Sequence, residues 1–295
     1  MTPLVSIKKL TEADLRGKRV LLRVGLNVPI KDGQVTDAYR LDKFKLTIEY
    51  LKQRGARILL LSHHSDTKMS LEPVAAYYRQ FFPVGFISNY QNLSDFLKMP
   101  EQVVLLENIR YQPEEEANEQ NFTKTLATVG DFYVNEDFPA SHRVHASIVG
   151  LPALLPSYAG LIFMEEMEHL SLVLQPDKPL LVIIGGAKFD TKIPLIKRFL
   201  ELAGTIFIGG ALASSWLKAE GKEVGTSLVD QDLEIIKPFL GEAKIKIPAE
   251  VLIQKANGEV VNVSVDQVPV DAKIVDVGLE SLKNLQTEFQ AARTI

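Results

Sequence analysis

At 295 residues, 46% hydrophobic and 24% charged, the chain has the composition of a folded protein with room for two domains, which excludes a disordered, collagenous or coiled-coil reading of the whole. Lys and Arg total 33 against 37 Asp and Glu; the net charge of −4 speaks against a nucleic-acid partner but leaves room for a local basic pocket. There is no cysteine, so a disulfide, a thiolate metal site and a cysteine nucleophile are excluded. No apolar run has the length of a signal-peptide core or a bilayer span, so a cytoplasmic protein with no membrane partner is expected.

In chain order, Arg19–Val24 reads as a strand and Arg40–Gln53 as a helix, with Leu41, Phe44, Leu46, Ile48 and Leu51 near helical spacing and Gly55 as its stop. Arg57–Leu61 is a fully apolar run of strand length. Ser70–Phe82 reads as a helix that tolerates Pro73 in its first turn. Val84–Ile87, Val103–Leu106 and Phe132–Val134 are short strands, with an amphipathic helix over Asn118–Val129 between the last two. The acidic run Glu114–Glu116 reads as a solvated loop or helix start. Tyr158–Leu174, carrying Glu165, Glu166 and Glu168, reads as a long helix joining two domains.

The second half repeats the scheme. Pro179–Ile184, Thr205–Ile208, Ile245–Ile253 and Lys273–Val277 read as strands; Thr191–Leu202, Ala211–Ala219, Asp230–Ala243 and Glu280–Ala291 read as helices. Continuous apolar strands alternating with helices predict α/β architecture: two doubly wound, Rossmann-like parallel-sheet domains over residues 1–157 and 176–295, joined by a helix over 158–175. Thr294 and Ile295 read as the first residues of a further strand, so the C-terminal domain is expected to be incomplete within this chain.

Ligands of parallel sheets bind beyond the carboxyl ends of the strands. There the chain places Arg23 and Asn27, then His63 and His64, then Arg110, then His142, Arg143 and His145, with Arg40 at a helix start; four of its five histidines fall in these loops. Convergent guanidinium and imidazole groups make an anion pocket, because Arg forks match phosphate and carboxylate oxygens. A metal site at His142 and His145 is the rival reading, but no carboxylate completes a ligand set, and no metal is expected there. In the second half a strand runs into Gly185-Gly186-Ala187-Lys188, with Lys192 four residues on, and a second strand ends at Gly209-Gly210. Glycine turns that open helices admit a phosphate close to backbone N–H groups, although the Walker spacing is absent. An anion pocket in one domain and a phosphate site in the other point to group transfer, with domain closure excluding water.

The segments RVGLNVP (Arg23–Pro29), TDAYR (Thr36–Arg40), LLLSH (Leu59–His63), LLENIRY (Leu105–Tyr111), YVNEDF (Tyr133–Phe138), SHRVHAS (Ser141–Ser147), LPSYAG (Leu155–Gly160) and IIGGAKFDTKI (Ile183–Ile193) occur in this order. In them the chain resembles the phosphoglycerate kinases, over essentially its whole length. The resemblance implies reversible phosphoryl transfer between 1,3-bisphosphoglycerate with ADP and 3-phosphoglycerate with ATP, by a monomer whose ligands are small molecules and Mg²⁺-bound nucleotide. It implies that Asn27, Arg40, His63, Arg110 and Arg143 contact the phosphoglycerate, with His142 and His145 in the same basic patch. Lys192 would hold nucleotide phosphate, Lys188 would neutralise the phosphoryl group in transit, and Lys188 and Arg40 would be the catalytic cations. The acceptor is a carboxylate, already ionised at neutral pH, so positioning and positive charge carry the catalysis.

Two positions depart from the family pattern. RVDFNVP has become RVGLNVP, with Gly25 in place of the Asp expected to bond the substrate hydroxyl, which predicts weaker discrimination. SHLGRP has become SHHSDT, with Asp66 in place of a phosphate-binding Arg, a change expected to cost a few kcal/mol of binding unless His64 or Lys68 compensates. The later segment that supplies the family's Mg²⁺-nucleotide Asp lies outside the chain. These departures set two alternatives beside the kinase: a non-catalytic anion- and nucleotide-binding relative, and a kinase for another small carboxylate.

Overall fold

The structure, a computed structural model, describes residues 8–173 and 175–295. It divides into two compact units, Met1–Leu170 and Ser171–Ile295. Among the described residues no helix is long and apolar enough to cross a membrane.

The first unit contains strands β1 (Arg19–Arg23), β2 (Ile30–Lys31), β3 (Gln34–Val35), β4 (Arg57–Leu61), β5 (Val84–Ile87), β6 (Val103–Leu106), β7 (Phe132–Asn135) and β8 (Ser157–Ala159). Its helices are α1 (Tyr39–Gln53), α2 (Glu72–Tyr78), α3 (Pro113–Glu116), α4 (Gln120–Ala127) and α5 (Leu151–Leu154), and α6 (Leu161–Leu172) runs into the second unit. Six strands form one parallel sheet in the order β5-β6-β4-β1-β7-β8. β2 and β3 form a separate small hairpin.

Alternate side chains of each strand leave by opposite faces, so a strand buried on both sides must be apolar throughout. That is why RVLLR, RILLL and VVLL read as continuous runs. Val20, Leu22, Ile58, Leu60, Val103 and Leu105 pack in one core with Leu41, Phe44 and Ile48 of α1 and Val74 and Tyr78 of α2. Leu21, Leu59, Leu61, Val104 and Leu106 pack in the other with Phe122 and Leu126 of α4 and Leu151 of α5. The consequence for function is that every strand of this sheet delivers its C-terminal loop to the same edge.

The second unit contains β9 (Leu181–Ile184), β10 (Thr205–Ile208), β11 (Ile245–Lys246), β12 (Glu250–Gln254), β13 (Val260–Ser264) and β14 (Lys273–Val277), with helices α7 (Ile193–Leu202), α8 (Gly210–Ala219) and α9 (Leu279–Ala291). A parallel sheet runs β11-β10-β9. Thr294 adds an isolated parallel bridge at Leu180, its carbonyl accepting the Leu181 N–H at 2.9 Å, so the segment read as a strand start does pair beside β9.

Four readings change. Ile245–Ile253 is not one strand: the chain breaks around Pro248, which has no N–H to give to a ladder. The residues beyond it form β12, the centre of an antiparallel sheet with β13 and β14. Asp230–Ala243 is not an α-helix and holds only a short 3-10 turn, Lys237–Phe239. Pro238 removes a helix donor and disfavours helical backbone at the preceding residue, and Gly241 has φ of +81°; the apolar spacing survives because Ile236 and Phe239 still reach the core. Tyr158 belongs to β8, and the helix expected from there begins at Leu161, while Leu174 lies outside the described residues. The acidic run makes the short helix α3, but its middle residue, Glu115, is fully buried instead of solvated.

Candidate substrate and nucleotide sites

The anion pocket of the first unit is built on a buried polar frame at the carboxyl ends of β1, β4, β6 and β7. Ser62, directly after β4, donates to the Val24 carbonyl at 2.7 Å and accepts the Leu26 N–H at 2.9 Å, fastening the loop that carries Asn27. The Asn27 Oδ1 accepts from the Ser65 N–H at 3.1 Å and Oγ at 3.0 Å, and its carbonyl accepts from Arg40 Nη1 at 3.2 Å. The Asn108 Oδ1 accepts the N–H groups of His64 and Arg110, both at 3.2 Å, tying the loops after β4 and β6 together. These bonds make one rigid rim from loops far apart in the sequence.

Beneath the rim lies Arg23, 1% exposed. Its guanidinium donates to the Ser147 Oγ at 2.9 Å, the Val24 carbonyl at 2.8 Å, the Asp137 Oδ2 at 2.8 Å and the His63 Nδ1 at 2.7 Å. Ser147 in turn is held by the buried Glu115, which accepts its N–H and its hydroxyl. Arg23 was expected to touch substrate. The structure places it under the pocket instead, its donors spent on the protein, as the part that orients His63.

That orientation fixes a proton. A guanidinium can only donate, so Nδ1 of His63 accepts and its hydrogen sits on Nε2. Burial, and then the nearby guanidinium groups of Arg23 and Arg143, push the His63 pKa down to about 3. His63 is therefore neutral at physiological pH, with an Nε2–H donor for which no described residue is a hydrogen-bond partner. The side chains of Arg143, His145 and His64 neighbour His63 closely enough to influence it.

Arg110 differs. Its side chain is 9% exposed, Glu116 Oε1 lies 3.1 Å from Nε, and yet neither Nε nor Nη2 makes an aligned hydrogen bond. A desolvated cation with unspent donors calls for an anion. His142 is exposed, and no hydrogen bond or ion pair among the described residues joins it to the group. His64 does not offer itself to a ligand: its ring accepts the Asp66 N–H at 3.1 Å and lies 3.2 Å from the Val28 carbonyl. Asp66 spends Oδ1 on the Lys68 N–H at 2.8 Å within its own turn.

In the second unit, Gly186 (φ +133°) and Gly210 (φ +60°) hold backbone that other residues rarely adopt. The two turns meet: the Gly186 carbonyl accepts the Leu212 N–H at 3.0 Å, and the Gly209 N–H donates to the Ile184 carbonyl at 2.9 Å. A Cβ on Gly185 would meet nothing within 4 Å, so that backbone is open, and a Cβ on Gly186 would lie 3.6 Å from Lys192 Cε. Lys192 is the residue that opens α7, whereas Lys188 lies exposed in the loop before it, so the two are not successive turns of one helix. Gly209 opens α8 with no side-chain cap; of the first-turn N–H groups, Leu212's goes to Gly186 and those of Gly210 and Ala211 remain for a ligand.

A cavity of about 290 Å³ continues from that turn, lined by Gly210, Ala213, Ser214, Leu228, Val251 and Val275 among others. The sequence does not reveal it, because its far wall is β14, an antiparallel strand that reads as parallel from its composition. Among the described residues no three His, Asp or Glu side chains gather in a metal-holding cluster.

Strand-edge cations in one α/β unit and glycine turns that open helices in the other are the features of the α/β phosphotransferase class. A sequence model described as Phosphoglycerate kinase matches residues 10–295. The chain is similar to the phosphoglycerate kinase of Methylorubrum extorquens (strain PA1), at 41% identity over 95% of this chain and 76% of that protein, and to that of Finegoldia magna, at 36% identity over 98% and 79%. Its fold is similar to the solved phosphoglycerate kinase of Coxiella burnetii, with a TM-score of 0.83 and 29% identity over 97% of this chain and 78% of that one. The chain belongs to the phosphoglycerate kinase family, whose members are transferases that use ATP or ADP with Mg²⁺.

Proposed function

We propose that the chain performs the phosphoglycerate kinase reaction with the following division of labour. Arg110, Arg143, Arg40, Asn27 and the Nε2–H of His63 bind 3-phosphoglycerate, with His145 and His142 adding to the positive potential. The Gly185-Gly186 and Gly209-Gly210 turns and Lys192 bind the nucleotide phosphates, the cavity beside Gly210 receives the nucleoside, and Lys188 meets the phosphoryl group as it transfers. The observation that carries this reading is Arg110: its guanidinium is nearly buried, and although Glu116 Oε1 lies 3.1 Å from Nε, neither Nε nor Nη2 makes an aligned hydrogen bond, which leaves donors for an anionic ligand.

The terminal phosphoryl of ATP passes to a carboxylate oxygen of the acid, forming an acyl phosphate and releasing ADP. The acceptor is already ionised, so no residue has to remove a proton. A neutral His63 suits this, since it donates a hydrogen bond without competing for one. The chain's own contribution is to place the acid, shield negative charge and hold phosphate against backbone N–H groups. Mg²⁺ comes bound to the nucleotide and neutralises its phosphates.

A coupled assay with ATP and 3-phosphoglycerate tests the reading. Arg110→Met should raise KM for the acid by roughly 10-fold or more with KM for ATP unchanged, the scale of a lost charge-assisted contact. Lys192→Met should do the reverse. Turnover that is absent with the acid, or that both variants affect alike, would refute the assignment.

A further inference from the structure

Gly25 leaves a gap in the sequence pattern, and the structure fills it from another strand. A Cβ built on Gly25 would lie 2.9 Å from Asp137 Oδ1 and 3.3 Å from its Cγ, closer than real side chains tolerate. Gly25 has no positive φ, so glycine is there for space and not for backbone conformation. The carboxylate of Asp137 occupies the volume into which a side chain at residue 25 would project.

Asp137 is 3% exposed and held from one side only. Oδ2 accepts from Arg23, with His63 Nδ1 3.8 Å away, while no hydrogen bond from a described residue reaches Oδ1. Most other acceptors of the pocket already carry hydrogen bonds or are exposed. Both Glu115 oxygens serve Ser147; Glu107 serves Ser70, Leu71 and Asn108; Asn27 Oδ1 serves Ser65; Asp66 Oδ1 serves Lys68 and is exposed. The proposed substrate carries two anionic groups and one hydroxyl. Its anions match the cations of the pocket, but a hydroxyl hydrogen needs an acceptor, and a carboxylate oxygen is one.

We propose that Asp137 is the specificity-determining acceptor for the substrate hydroxyl, standing in from β7's loop for a carboxylate at residue 25. The expected loss of discrimination through Gly25 is thereby made good. The inference rests on the phosphoglycerate reading above.

The test is calorimetric binding of 3-phosphoglycerate and of 3-(phosphonooxy)propionate, the same phosphate ester without the C2 hydroxyl, to the whole chain. The wild type should prefer the hydroxylated acid by roughly 10- to 100-fold, the range of a hydrogen bond to a charged group. Asp137→Asn should reduce that preference to a few-fold by weakening binding of 3-phosphoglycerate alone. The swap Gly25→Asp with Asp137→Ala should restore it, whereas Gly25→Asp alone should weaken both acids. A wild type that binds both acids equally would overturn the role of Asp137 and leave the kinase reading standing. An Asp137→Asn protein that keeps its nucleotide affinity but loses both acids equally would also overturn it, since a merely structural role predicts that pattern. A wild type that binds neither acid would remove the kinase reading and this inference with it.

Discussion

Replacing Arg23 with Met tests whether the polar frame holds the pocket. The side chain is 1% exposed and makes four hydrogen bonds, one of them to a carboxylate that is itself only 3% exposed. Met fills much of the volume, so the loss is electrostatic: Asp137 becomes a buried charge without its cation, and Ser147 and the Val24 carbonyl lose a donor. Breaking a buried pair from one side costs about 3–5 kcal/mol, a large part of the ~5–15 kcal/mol that stabilises an ordinary domain. Urea unfolding followed by far-ultraviolet circular dichroism measures that loss in the first unit. The single tryptophan, Trp216, lies in the second unit, and its fluorescence follows that unit separately. The His63 pKa should rise from about 3, because Arg23 is the strongest of the cations holding it down, but should stay below its ordinary value because burial is the larger cause. Histidine NMR reads this directly. A loss below ~1 kcal/mol, or a His63 signal that does not move, would refute the reasoning.

Stability should depend on pH through His63. Its folded pKa is depressed from 6.5 to about 3, so between those values the unfolded chain binds the extra proton and stability falls as pH falls, by up to about 1.4 kcal/mol per pH unit. His63→Gln should flatten the slope of unfolding free energy across that window; an unchanged slope would refute the assignment. Gly160→Ala should destabilise the first unit, because its Cβ would lie 2.2 Å from the Glu136 carboxyl carbon. That carboxyl caps the start of α6 by accepting the Ile162 and Phe163 N–H groups at 3.1 and 2.7 Å, and its burial raises its pKa. The expected cost is ~1–3 kcal/mol by thermal unfolding, and a neutral result would count against the close approach.

The sequence by itself determined the elements whose cause is local and the residues whose chemistry is unusual at any position. Runs such as Ile58–Leu61 are apolar at every residue because both faces are covered, and they name the strands and the parallel sheet of the first unit without knowledge of any partner. Helix α1 declared itself by spacing, and the two Gly-Gly turns by following strands. Only the tertiary structure decided what depends on who lies opposite. Apolar spacing in Asp230–Ala243 meant burial without a helix, since periodicity reports which side chains face the core and Pro238 decides the backbone. Arg23 looked like a ligand-binding cation, yet a carboxylate 114 positions away takes it into the interior. His63 looked like a charged member of a basic patch, yet burial and the guanidinium beside it keep it neutral. The vacancy at Gly25 looked like a lost contact until folding brought the Asp137 carboxylate into it. Charge, protonation and occupied volume are properties of neighbourhoods, and neighbourhoods this distant along the chain form only when the sheet does.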